Sequence, residues 1–131
     1  MERAYRRAIY AVATPQGELA FRIGRRSSRV DRLLVELGVE RAAFLTAANP
    51  GSRRLSAEVN AERTSWLADR LACAGLRALA GESRDARGDW REESFLVPGI
   101  ERDAALALAR EMEQAAFVFL ESGRPAALVL A

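Results

Sequence analysis

The strongest constraint on the fold is a short apolar run that passes directly into a turn. Residues 42–47 contain no charged side chain and do not alternate between polar and apolar residues. This pattern is typical of a strand that is covered on both faces, so we expect it near the centre of a sheet. Asn49-Pro50-Gly51-Ser52 follows as a loop, and Ser56 is placed to cap the helix that comes next.

The longest helix is expected to extend from this cap to about Ala74, with Gly75 as its stop. Its spacing places five residues on the face that we expect to be inward: Val59, Trp66, Leu67, Leu71 and Ala74. Cys73 falls on the same side as Trp66, and we interpret it as a small core residue.

Turn-forming segments divide the rest of the chain. Hairpins are predicted over residues 8–23 and 115–130, helices from Ser28 to Gly38 and from Glu101 to Met112, and strands over residues 76–82 and 93–97. The element order is therefore ββαβαββαββ. It predicts an α/β or α+β fold, a single domain over residues 1–131, and a mixed sheet flanked by three helices with right-handed crossovers.

Composition limits the chemistry of the chain. It has no histidine, all 20 basic residues are arginine, and Cys73 is its only cysteine. Imidazole-based catalysis, lysine Schiff bases and histidine-containing zinc sites are therefore excluded. We expect no metal and no cofactor. The sequence contains no apolar run long enough to cross a membrane, and we expect a cytoplasmic protein without a membrane partner.

Polar side chains cluster where the central strand ends and the next helix begins. Thr46, Asn49, Ser52, Arg53 and Arg54 lie at this junction. Asn60 and Arg63 follow three residues apart on the helix, so their side chains lie on one face and can reach the same loop. Guanidinium groups beside helix-start amides can bind a carboxylate or a phosphate. The alternative is that the loop is only a turn, with Asn60 and Arg63 holding its carbonyl groups.

A second polar segment, Trp90-Arg91-Glu92-Glu93-Ser94, precedes a predicted strand. Trp90 can stack on a ring, and Glu92 can form hydrogen bonds with a ligand. A hard cation held by Asp85, Asp89, Glu92 and Glu93 is the alternative. Their spacing matches no EF-hand loop, and solvated acids paired with neighbouring arginines explain these residues better.

The amino-terminal third is basic. Eight arginines and three acidic residues in residues 1–32 give it a net charge of +5, against +2 for the whole chain. Such a region can attract nucleic acid or another anion, but no motif of a nucleic-acid-binding fold accompanies it.

Several segments together resemble a known family. They are Phe21-Arg22-Ile23-Gly24, Thr46-Ala47-Ala48-Asn49-Pro50, Asn60 with Arg63, Trp90-Arg91-Glu92-Glu93-Ser94-Phe95, and Gln114-Ala115-Ala116, with Tyr5 and Tyr10 near the start. In these the chain resembles the bacterial family catalogued as domain of unknown function 3293. The resemblance implies a small bacterial domain and no particular activity. In that family the position of Ala48 is commonly aromatic and that of Arg91 commonly proline, so a stacking group at the loop is less expected here.

The sequence thus favours a binding or regulatory module for a small anionic ligand such as a nucleotide. The expected ligand-binding residues are Thr46, Asn49, Ser52, Arg53, Asn60, Arg63, Trp90 and Glu92. One alternative is a histidine-independent hydrolase or transferase that uses Glu92 or Glu93 as a base and Arg63 to stabilise negative charge. Another is a protein- or nucleic-acid-interaction domain that acts through the basic third. Homodimerisation through an edge strand stays open.

Overall fold

The computed structural model describes residues 2–131, which form a seven-stranded sheet with helices on both faces. The elements in chain order are α1 Glu2–Arg7, β1 Ile9–Thr14, β2 Gly17–Phe21, α2 Ser28–Glu36, β3 Arg41–Leu45, a 3-10 turn Pro50–Ser52, α3 Ala57–Cys73, β4 Leu79–Arg84, β5 Arg91–Pro98, α4 Arg102–Glu111, β6 Ala116–Glu121 and β7 Ala127–Leu130. The predicted α+β fold is confirmed, and the predicted strands and helices all appear in the predicted order. The short helix α1 and the 3-10 turn are additions to it.

The sheet has the strand order β2-β1-β4-β5-β3-β6-β7, and every neighbouring pair is antiparallel. The expected mixed sheet is therefore wrong in this detail. The helical connections do join parallel strands, as predicted for β3 with β4 and for β5 with β6. In each case another strand lies between the two, namely β5 and β3, so no parallel neighbours result. Within residues 2–131, the one parallel contact is an isolated bridge between Ile23 and Ala126.

Two apolar clusters cover the two faces of the sheet. On one face, which we call the α2 face, Val30 and Leu34 of α2 pack against Phe44 and other strand residues. On the other, Leu71 of α3 and Ala105 of α4 belong to the second cluster. β3 contributes to both, since four of its five residues are buried. The prediction of an inner strand covered on both faces is thus confirmed.

The inward face of α3 differs from the one predicted. Leu67 and Leu71 are buried as expected, but Val59 is exposed, Ala74 at the helix end is exposed and Trp66 is 41% exposed. Cys73 lies on the side of Trp66 and is also exposed, so the assignment of this thiol to the core is wrong. The amino-terminal half of α3 instead turns polar side chains inward, which an apolar-stripe analysis does not detect.

Serine side chains cap the amino-terminal ends of α2 and α3. Ser56 accepts a hydrogen bond from the Val59 amide, which confirms it as the cap of α3. At α2 the capping side chain is that of Ser27, which accepts a hydrogen bond from the Val30 amide. Ser28, where the helix was predicted to start, is the first helical residue. The helices therefore begin within one residue of the predicted positions.

Gly81 on β4 permits a close approach within the sheet. A Cβ atom at this residue would lie 2.5 Å from the carbonyl oxygen of Ala11 and 3.0 Å from the ring of Phe44. The absence of a side chain lets the Phe44 ring lie against β4. Phe44, Tyr10 and Phe21 then pack together with ring centroids 5.5–5.6 Å apart.

Candidate functional site

A cavity of about 300 Å³ lies on the α2 face of the sheet, bounded by α1, the loop after β3 and the loop before β5. Its lining consists of Ala4, Tyr5, Tyr10, Phe44, Thr46, Asn49, Ser52, Arg54, Ser83, Trp90, Glu92, Ser94, Gln114, Ala116, Phe117 and Val118. Apolar and aromatic side chains form much of this wall. The combination of an apolar wall with a few converging polar groups is typical of small-ligand sites.

Strand register brings three polar side chains into one row on the cavity floor. Tyr10 of β1 pairs with Ser83 of β4, and Ser83 pairs with Glu92 of β5. Directly opposed residues of antiparallel strands point to the same face with their Cβ atoms about 5 Å apart. Tyr10, Ser83 and Glu92 therefore line the cavity side by side, although they are far apart in sequence.

Asn49 is the polar centre of the loop after β3. Its backbone is left-handed, with φ of 48°, a conformation that asparagine tolerates better than most residues. Its Oδ1 accepts hydrogen bonds from the Leu55 amide and from Nδ2 of Asn60, both at 2.9 Å. The amide group of Asn49 is thereby oriented, and its Nδ2 donates to Oε2 of Glu92 at 2.8 Å. Oδ1 of Asn60 in turn accepts from the Asn49 backbone amide.

Glu92 is a half-buried carboxylate on the cavity floor. Burial raises its pKa above the ordinary value of 4.5, and the hydrogen bond from Asn49 partly offsets this effect. Among residues 2–131, no donor reaches its second oxygen, Oε1. No side-chain oxygen or nitrogen in those residues is both fully buried and without a partner. Oε1 is therefore accessible as a hydrogen-bond acceptor.

Two buried serines lie beside this carboxylate. Ser83 and Ser94 are 5% and 2% exposed, and their hydroxyl oxygens are 3.3 Å apart. The Ser94 hydroxyl donates to the carbonyl oxygen of Glu92 at 3.3 Å. The distance between the two hydroxyls fits either direction of donation; with the single Ser94 proton on the Glu92 carbonyl, Ser83 is the donor to Ser94. Oxygen lone pairs of Ser83 are then left as acceptors on the cavity floor.

Tyr10 shows the same pattern. Its hydroxyl donates to the carbonyl oxygen of Tyr5 in α1 at 2.7 Å, which joins the floor of the cavity to its α1 wall. Burial, together with the charges of Tyr5 and Glu92, raises the pKa of the Tyr10 hydroxyl, so it stays protonated and keeps this bond. Like Ser83, it presents only acceptor lone pairs to the cavity.

Arg63 does not reach the cavity lining. Its side chain is 16% exposed, and its guanidinium donates to the carbonyl oxygen of Ala47 at 2.6 Å and to that of Met112. Gln114 adds a bond from its Nε2 to the Ala48 carbonyl. These contacts fasten the loop after β3 to the end of α4. For Arg63, the geometry matches the alternative in which the helix residues hold carbonyl groups of the turn.

The other predicted site residues divide between the cavity and its surroundings. Thr46, Asn49, Ser52, Trp90 and Glu92 line the cavity together. Asn60 lies behind Asn49 and orients it, as described above. Arg53 lines neither this cavity nor its neighbour, and its Nε lies 3.4 Å from the Pro50 carbonyl. The adjacent Arg54, by contrast, lines both.

A second depression of about 350 Å³, which we call the groove, adjoins the cavity. It lies between the start of α3 and the start of β5, and its wall includes Asn60, Thr64, Asp89 and Arg91. It shares Asn49, Arg54, Trp90 and Glu92 with the cavity. A ligand larger than the cavity therefore has a continuous path along Arg54 into the groove.

The cavity also contains residues that the sequence did not single out as ligand-binding. These are Tyr5, Tyr10, Phe44, Ser83, Ser94 and Gln114 on its polar and aromatic walls. Tyr5, Tyr10, Ser94 and Gln114 do fall within segments of the family resemblance. For Ser83, neither spacing nor resemblance gave a signal, because only the pairing of β4 with β1 and β5 brings it here.

Within residues 2–131, no helix has the length and hydropathy needed to cross a bilayer. In the same part of the chain, no three His, Cys, Asp or Glu side chains are grouped so that they could hold a metal ion. The acids near Glu92 are thus separate groups rather than a cluster.

The fold and its cavity define an antiparallel α+β protein with a small-molecule-sized site at the junction of β3, α3 and β5. A family model described as "Protein of unknown function (DUF3293)" matches residues 45–117, and the chain belongs to this family. The resemblance found in the sequence is therefore confirmed. The matched region includes Asn49, Asn60, Trp90 and Glu92. No curated protein and no solved structure matches the chain.

Proposed function

We propose that the protein is a binding module for a small ligand of nucleotide type, whose ring occupies the cavity and whose anionic group lies near Arg54. The observation that carries this proposal is the convergence of Asn49 and Glu92 on an otherwise largely apolar cavity of about 300 Å³. That volume is at the lower end of the roughly 300–1,000 Å³ of small-ligand pockets, which suits a heterocycle.

The charges of the lining residues favour one orientation of such a ligand. The Glu92 carboxylate inside the cavity repels an anion, so a phosphate is disfavoured at the floor. Arg54 is exposed and lines both cavity and groove, which makes it the suitable partner for a phosphate. Arg53 and Arg63, which the sequence suggested for this role, line neither. The anion-binding part of the proposal therefore rests on Arg54.

The enzymatic alternative receives partial support. A half-buried carboxylate with a raised pKa in a cavity is a common feature of general bases, and Glu92 has both properties. However, Arg63 donates to two carbonyl groups, pairs with Glu113 at 3.7 Å and lies outside the cavity lining, which argues against the proposed role in charge stabilisation. Glu93 is exposed and lies outside the cavity lining. Binding is the function that the geometry supports better.

The nucleic-acid alternative has less support than the enzymatic one. Several arginines of the basic third bind the chain itself: Arg22 donates to the Arg7 carbonyl, and Arg26 pairs with Asp31. These contacts give a structural reason for part of the local positive charge.

The proposal is tested with a calorimetric titration of nucleosides and their monophosphates against the wild type, Arg54→Gln and Arg53→Gln. The two variants remove the same charge from adjacent exposed residues. We expect at least one monophosphate to bind the wild type and Arg54→Gln to weaken it by roughly five- to tenfold, a loss typical of one charged contact. Arg53→Gln should leave the affinity within about twofold, because Arg53 lines neither depression. The proposal fails if no compound binds, or if both variants weaken binding equally.

A further inference from the structure

The floor of the cavity carries oxygen acceptors whose own protons are already used. Tyr10 donates to Tyr5, and Ser83 donates to Ser94 because Ser94 donates to the Glu92 carbonyl. Glu92 accepts from Asn49 through Oε2 and leaves Oε1 accessible. The register of β1, β4 and β5 sets these groups in one row. This acceptor row, composed of Tyr10, Ser83 and Glu92, has no donor of its own to offer a ligand.

Two side-chain amides of the cavity lining, those of Asn49 and Gln114, are engaged as well. Nδ2 of Asn49 is directed at Glu92, and its direction cannot reverse because Oδ1 receives two donors, the Leu55 amide and Asn60. Nε2 of Gln114 bonds the carbonyl groups of Ala48 and Met112. A ligand edge rich in acceptors, placed against the acceptor row itself, would therefore face oxygen lone pairs there, which carries a desolvation penalty.

Resting on the proposed function, we propose that the acceptor row makes the cavity selective for heterocycle edges with two adjacent N–H donors, the arrangement found on the N1–H and N2–H₂ edge of guanine. One donor bonds Oε1 of Glu92. The adjacent donor bonds Ser83, the residue directly across the β4–β5 ladder. Among the common bases, guanine alone presents two adjacent donors, whereas adenine and cytosine place an acceptor beside their amino group.

Three nucleosides with the same sugar but different hydrogen-bonding edges test this selectivity. Guanosine has both donors, inosine lacks the N2 amino group, and adenosine presents an amino group beside an acceptor. We expect affinity to fall in the order guanosine, inosine, adenosine, by about tenfold between the first and the last. This comparison on the wild type needs no variant and so does not depend on the folding of one.

Glu92→Gln then tests the residue itself. Because Nδ2 of Asn49 can only donate, the new amide must turn its oxygen toward Asn49 and its NH₂ group toward the ligand. The variant should lose about tenfold in guanosine affinity while adenosine, which offers an acceptor, is retained or improved. Glu93→Gln is the matched control, since Glu93 is adjacent and exposed and lines the groove but not the cavity, and it should leave the order unchanged.

The outcomes separate the two proposals. Binding of guanosine above adenosine, lost in Glu92→Gln and kept in Glu93→Gln, supports the acceptor row. Nucleosides that bind without this preference, or a preference that survives Glu92→Gln, overturn it and leave the binding function intact. Absence of binding by every nucleoside and nucleotide overturns the proposed function and this inference together.

Discussion

Arg63 provides the most direct test of how the site is held together. Its guanidinium donates to the Ala47 and Met112 carbonyl groups, with its side chain 16% exposed. In Arg63→Ala both bonds are lost. The Met112 carbonyl keeps a bond from Gln114 at 3.3 Å, but in the described chain Ala47 receives no other side-chain donor. Within residues 2–131, the Ala47 carbonyl thus loses its only side-chain donor, and the Met112 carbonyl loses one of two. Together the two lost charge-assisted bonds should destabilise the protein by about 3 kcal/mol.

Arg70→Ala is the matched control on the same helix. Arg70 forms a bidentate pair with Glu111, with nitrogen–oxygen distances of 2.8 and 2.9 Å, but its side chain is 44% exposed. Removal of a solvent-screened pair of this kind should change stability little. The two substitutions thus delete similar side chains that differ in burial and in partner.

Urea unfolding followed by circular dichroism measures both effects. For a chain of this size, a loss of about 3 kcal/mol lowers Tm by roughly 10 °C, so thermal unfolding gives a second readout. We expect the Arg63→Ala midpoint to fall well below that of Arg70→Ala. Equal losses in the two variants would refute the conclusion that Arg63 fastens the loop after β3 to the end of α4.

Two further predictions concern the cavity floor. Burial raises the pKa of Glu92, so its ionised form destabilises the folded state, and this penalty is absent below the ordinary pKa of 4.5 and complete above the raised folded value. The wild type should therefore gain stability relative to Glu92→Gln as pH falls through that window, and a constant difference in unfolding free energies from pH 8 to pH 4 would contradict the burial. Gly81→Ala should destabilise by about 1–3 kcal/mol in chemical denaturation, because the new Cβ meets the Ala11 carbonyl and the Phe44 ring. Ala80→Ser, at the exposed neighbouring position, should change stability little, and equal effects at the two positions would refute the packing argument.

Local signals in the sequence were sufficient to predict the elements but not their arrangement. The hairpin over residues 115–130, the cap at Ser56 and the apolar run of β3 each depend on neighbouring residues, and all three are confirmed. The insertion of β5 between β3 and β4 depends on pairing across the whole chain. No pattern among neighbouring residues distinguishes that arrangement from a sheet with parallel neighbours. The expected mixed sheet is wrong for this reason.

The same division applies to the candidate site. Asn49, Trp90 and Glu92 were found because they sit beside recognisable turns, and the structure brings them together in the cavity lining. The expected inward positions of Trp66 and Cys73 are wrong because they rest on an apolar inward face along the whole of α3. In fact its first turns are polar because Asn60 and Arg63 serve the loop. Ser83 is found only once the strand register is known.

The separation of the two apolar clusters has a consequence for substitutions in the cavity. The cavity lies on the α2 face, whereas α3 and α4 pack on the opposite face through Leu71, Ala105 and their neighbours. Substitutions on the acceptor row therefore change residues outside the cluster formed by α3 and α4. An exchange at a position such as Ser83 would therefore alter the cavity wall without touching the side chains through which α3 and α4 pack on the sheet.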